Sequence, residues 1–127
     1  MEQCPPILVL VTLQRACARL IRRGADMALR DHCSLHALHV VVKTAAANPE
    51  NAIDAQVLDY LYALAGEAGA QMIVLTADVA ITAIAEYASR QGVKKVIMGG
   101  GEQACGIAET LSEMLPGVQV MIVDESV

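Results

Sequence analysis

The sequence contains no tryptophan and no phenylalanine, and only three tyrosines in 127 residues. A core built without large aromatics must be filled by Ala, Val, Ile, Leu and Met, a composition that suits helices packed on a buried sheet. Basic charge is also short: nine Lys and Arg face fourteen Asp and Glu, for a formal net charge of −5. A nucleic-acid partner normally demands a basic face and often aromatic platforms for the bases. No nucleic-acid partner is therefore expected.

Long hydrophobic runs are missing too. The longest are Ile7 to Val11 and Val118 to Val123, the second interrupted by Gln119, against the roughly 20 apolar residues of a membrane span. No membrane insertion is expected. Met1-Glu2-Gln3-Cys4-Pro5-Pro6 places no basic residue ahead of the first apolar run, a poor match to a secretory signal. The cysteines Cys4, Cys17, Cys33 and Cys105 show no C-x-x-C spacing, and a chain with this much apolar core has little need of disulfides. Free thiols and a cytoplasmic location are the expectation. No nucleophile, base and orienting partner stand at a recognisable spacing, so no catalytic residue is assigned and a non-enzymatic role is expected.

What is present is an alternation of two periods. Ile7 to Val11, Leu35 to Val42, Met72 to Leu75, Lys95 to Met98 and Val118 to Val123 are short apolar runs, as in strands covered on both faces. Between them lie helical stripes: Ala16, Leu20, Met27 and Ala28; Val57, Leu58, Leu61, Ala65 and Ala68; Ala80, Ile84, Ala85 and Ala88; Ile107, Ala108, Leu111 and Leu115. Asn48-Pro49 suits the opening of the second helical region, Asp78 an N-cap for the third, Gly92 its end, and Pro116-Gly117 the stop of the fourth. Five strands alternating with helices predict an α/β domain over residues 1–127. Its architecture is a doubly wound, open, five-stranded parallel sheet with helices on both faces.

In such a sheet, ligands bind at the carboxyl ends of the strands where the strand order reverses. If the neighbour added on the other side of the first strand is the fourth, as in the order 3-2-1-4-5, the converging segments are Thr12-Leu13-Gln14 and Gly99-Gly100-Gly101. Glycine lets backbone N–H groups approach a ligand, and the helix start beyond Gly101 favours an anion, so a phosphate could be held there. The alternative is a tight strand-to-helix turn without a ligand; the run matches neither the dinucleotide fingerprint nor the P-loop.

The strand and helix order, Leu38-His39-Val40-Val41-Val42, Ile97-Met98-Gly99 and Val120-Met121-Ile122-Val123 together resemble the universal stress protein family, with its adenine nucleotide alpha hydrolase-like fold. Val11-Thr12, Leu20-Ile21-Arg22-Arg23-Gly24-Ala25 and the stretch from Gly69-Ala70 through Asp78-Val79 resemble the variant found in the sensor histidine kinases of the Kdp potassium system. That resemblance implies a regulatory module linked to potassium or osmotic stress, with a sensor kinase or other regulatory protein as partner. It also implies a homodimer through the last strand. Nucleotide-binding members of the family carry G-x2-G-x9-G-[S/T] after the fourth strand and an acidic residue at the end of the first. Here Thr12 stands at the acidic position, Glu102 follows Gly99 by three residues, the spacer is short, and Gly106-Ile107 lacks the final hydroxyl. Two readings follow: a sensory module with a degenerate nucleotide loop, or a protein that binds ATP or another adenine nucleotide with weak ATPase activity. Thr12, Leu13, Gln14, Arg15, Val41, Gly99, Gly100, Gly101 and Gly106 are the candidate ligand-binding residues.

Three further groups carry side chains with binding chemistry. Cys33, His36 and His39 carry zinc-binding groups, but an odd spacing along a strand sends the two imidazoles to opposite faces, and no metal is assigned. Cys105 near a helix start is either an activated thiol or a small buried residue. Arg15, Arg19, Arg22 and Arg23 form a solvated face, with Arg15 able to reach an anion in the cleft.

Overall fold

The computed structural model describes residues 5–11, 17–42, 55–100 and 104–123. The described elements, in chain order, are β1 (Ile7–Leu10), α1 (Cys17–Asp31), β2 (Leu35–Val42), α2 (Ala55–Glu67), β3 (Ala70–Ala77), α3 (Ala80–Gln91), β4 (Lys95–Gly99), α4 (Ala104–Met114) and β5 (Gln119–Val123). The strands form one parallel sheet of order β3-β2-β1-β4-β5, as the sequence predicts.

Both sheet faces are covered, and strand alternation sorts the side chains between them. Ile7, Val9, Leu35, Ala37, Met72 and Ile97 pack with α1 and α2 through Leu20, Ile21, Ala28, Leu61, Leu64 and Ala65. Leu8, Leu38 and Val96 pack on the other face with Ala85, Tyr87, Ala88, Leu111 and Leu115 of α3 and the end of α4. Leu8 and Val9 of the central strand are fully buried on opposite faces, each contributing about 1.5–3 kcal/mol of transfer free energy. Continuous apolar runs are what a strand with two buried faces requires.

Helix ends are closed by backbone geometry. Gly92 follows α3 in the left-handed region at φ 68°; its N–H donates to Ser89 O and that of Val93 to Ala88 O. His32 does the same after α1 at φ 56°, with bonds from His32 N to Leu29 O and from Cys33 N to Ala28 O. Both are Schellman closures, one built on glycine and one on histidine.

Two local expectations change. The N-cap of α3 is Val79, extended and without a side-chain cap bond, rather than Asp78. The cause is the length of β3, which pairs with β2 from Leu35↔Ala70 to Val42↔Ala77 and carries extended backbone closer to the helix. Cys33, just ahead of β2, is disulfide-bonded, which corrects the expectation of free thiols there; Cys105 is free. With that bond, the cysteines no longer argue for a reducing compartment. The predicted start at Asn48-Pro49 lies outside the described residues.

Candidate functional site

The strand order reverses between β1 and β4, so the switch point of the sheet lies at the carboxyl ends of these strands, at Val11 and Gly99. Both residues stand two positions past the paired Val9 and Ile97 and share a level at the carboxyl edge of the sheet. Val11 is buried and fully engaged. Its N–H donates to Leu38 O at 2.9 Å, and its carbonyl accepts a 3.0 Å hydrogen bond from His39 Nδ1. A carbonyl only accepts, so Nδ1 of His39 is the donor in this bond. This clamp holds the end of β1 to β2.

On the opposite side, Gly99 closes β4 level with Val123, and Gly100 N–H donates to Val123 O at 3.0 Å. That amide continues the β4–β5 ladder and is not free to turn to a phosphate. Helix α4 then begins at the buried Ala104, with Cys105 and Gly106 exposed in its first turn. The start of this helix presents N–H groups and the positive end of its dipole. A Cβ added at Gly106 would meet nothing within 4 Å, and Thr110 Oγ1 donates to the Gly106 carbonyl at 2.9 Å. Gly106 is thus an ordinary helical residue with open space around it. Cys105 is exposed, which corrects the alternative of a small buried residue.

Of the predicted site residues, Gly99 and Gly100 stand at the end of β4 and Gly106 in the first turn of α4. Val41 is half-buried on β2 opposite Thr76, three positions beyond the level of Leu10. Thr12, Leu13, Gln14, Arg15 and Gly101 lie outside the described residues, as does Glu102. His39, which sequence reasoning considers only as a metal ligand and a strand residue, is tied to this edge by its bond to Val11. A histidine within an apolar strand gives no sign of which carbonyl will lie beside it.

His36 and His39 part to opposite faces, as their spacing predicts. His36 Nδ1 shares a 2.7 Å hydrogen bond with Tyr87 Oη of α3, and the rings are tilted with centroids 6.0 Å apart. Burial holds the His36 imidazole below its usual range and pushes the Tyr87 phenol above its own. Among the described residues, no group of three or more His, Cys, Asp or Glu is placed to hold a metal ion. No described helix is long and apolar enough to cross a membrane.

No protein-family model matches the sequence, and no curated protein matches it. Solved structures do. A universal stress protein from Archaeoglobus fulgidus aligns with a TM-score of 0.72 at 15% identity, over 94% of this chain and 93% of its own. The A. fulgidus universal stress protein in complex with dAMP gives 0.71 at 17% identity, over 95% and 98%. A universal stress protein family protein from Arabidopsis thaliana with AMP bound gives 0.61 at 16% identity, over 95% and 91%. The chain has the fold of the universal stress proteins.

Proposed function

We propose that this chain is a regulatory module of the universal stress protein type, taking an adenine nucleotide in the cleft between the ends of β1 and β4. The supporting observation is a coincidence of place and ligand. The sheet reverses its strand order at Val11 and Gly99-Gly100, where ligands of such sheets bind, and proteins of the same fold hold dAMP, AMP or cAMP. Engagement of the Gly100 amide by Val123 leaves fewer donors for phosphates, so the adenosine carries recognition and ATP gains little over AMP. No hydrolytic step is included, since no nucleophile-activating group is assigned.

In this reading the module works through a sensor kinase or another regulatory protein, in the cytoplasm, under potassium or osmotic stress. These finer points rest on the resemblance of Val11-Thr12 and of Leu20 to Ala25 to the Kdp kinase domain. Thermal melting with AMP, cAMP, ATP and GTP is the test. An adenine nucleotide at about 100 times its dissociation constant adds about 2.7 kcal/mol, a rise of roughly 10 °C for a chain this size. AMP and ATP should act alike and GTP should not act. Unchanged melting with every adenine nucleotide at millimolar concentration refutes the assignment.

A further inference from the structure

The cations of this acidic chain are gathered in one stretch of the sequence. Five of the nine, Arg15, Arg19, Arg22, Arg23 and Arg30, fall within residues 15–30, where Asp26 is the single acid; thirteen of the fourteen acids lie elsewhere. In α1 the apolar side, Leu20, Ile21, Gly24 and Ala28, is buried against the sheet. The other side exposes Arg19, Arg22, Arg23, Asp26, Leu29 and Arg30, which fall on one stripe by their spacing of three, four and seven. Among the described residues, Arg22, Arg23 and Arg30 form no salt bridge, and the neighbouring Asp31 is joined to Lys95 at 2.9 Å. Leu29 is 78% exposed, the most exposed large hydrophobic side chain described.

We propose that the exposed face of α1 docks an acidic protein segment, whose carboxylates pair with Arg22, Arg23 and Arg30 and whose apolar side chain covers Leu29. The charge is complementary: an arginine face on a chain of net charge −5 selects an anionic partner locally rather than through the whole-molecule field. Every cation of α1 is arginine. Its planar fork matches carboxylates in a bidentate way, and arginine is enriched where lysine is depleted at protein interfaces. A lipid surface fits less well, because the apolar side of α1 is already buried in the core and Leu29 is its one exposed large apolar group. Asp26 within the stripe disfavours a uniform polyanion such as a nucleic acid. The surface gives a place to the partner-protein part of the function proposed above, and it is independent of what occupies the cleft.

Fluorescence anisotropy tests it with labelled peptides of repeated Glu-Glu-Leu-Glu and Glu-Glu-Ser-Glu units. Phosphatidylglycerol vesicles and a single-stranded oligonucleotide are measured beside them. The leucine peptide should bind the wild type more tightly than the serine peptide, and rising salt should weaken both. Arg22→Glu with Arg23→Glu should weaken both by about tenfold or more, and Leu29→Ser should erase the difference between them. These side chains point to solvent, so circular dichroism should be unchanged; Arg22→Ala with Arg23→Ala serves if the charge reversal perturbs folding. Absent peptide binding, equal binding by the arginine variants, or a leucine preference that survives Leu29→Ser would overturn the assignment. Tighter binding of vesicles or oligonucleotide than of either peptide would overturn it as well. Each result leaves the nucleotide melting test to stand or fall separately.

Discussion

Gly24 shows at the residue scale how closely α1 lies on the sheet. A Cβ there would stand 2.6 Å from Val9 Cγ2 and 3.0 Å from Leu35 Cδ1. Both neighbours are buried core residues of the two strands beneath the helix, so neither can easily give way. Gly24→Ala should therefore destabilise the protein by about 1–3 kcal/mol from overpacking, despite the better helix propensity of alanine. Chemical denaturation measures it, and an unchanged or raised midpoint would refute the packing account. His32 is the opposite case. It is exposed and holds φ 56°, a conformation that L-residues adopt at a cost of roughly 1–2 kcal/mol and glycine adopts freely. His32→Gly should raise the melting temperature by a few degrees, since the Schellman bonds from residues 32 and 33 use only backbone atoms.

At the scale of elements, β5 is the strand that matters for assembly. It lies at the sheet edge, paired on one side with β4, with Gln119 and Ile122 exposed and Val120, Met121 and Val123 half-buried. A parallel edge strand with apolar side chains on both faces invites a second copy. We propose a homodimer through this strand. Ile122, 41% exposed, is a suitable place to test it: Ile122→Lys should shift sedimentation from dimer to monomer without loss of helical signal. A dimer that persists in this variant would mean that the copies meet elsewhere. Element lengths carry another lesson. The run Met72 to Leu75 marks β3, but the strand extends from Ala70 to Ala77 because pairing with β2 recruits flanking residues of no strong preference. Secondary structure at element ends follows the partner more than the residue.

For the molecule as a whole, His36 and Tyr87 join β2 to α3 through a half-buried contact that works in the uncharged state. Burial holds His36 below its ordinary 6.5, so the unfolded chain takes up a proton first as pH falls. The associated stability is complete above 6.5 and is lost as pH falls from there to the folded value. Tyr87 is raised above 10.0, again by burial, and its contribution falls as pH rises beyond 10.0. Asp31 is lowered from 3.8, first by its hydrogen bond from Lys95, and acts only in the more acid range. Melting temperature should therefore decline between about pH 7 and 5, where histidine titrates, and His36→Gln should flatten that decline. An equal slope in the variant would place the titrating group elsewhere.

The alternation of apolar runs and helical stripes was enough to predict a parallel sheet covered on both faces, because burial on two faces writes itself into local pattern, while the strand order came with the family resemblance. Gly92 was legible for the same reason: a left-handed residue after a helix selects glycine locally. The occupation of the Gly100 amide, the tie from His39 to Val11 and the tight seat of Gly24 were not legible. Each depends on what a distant segment places beside the residue. The glycine run marks the end of β4 from its sequence position alone, while the number of free donors depends on which neighbouring strand pairs with it. Local preference is a property of short stretches of chain, whereas hydrogen-bond satisfaction and close packing are settled only once the strands have found their partners.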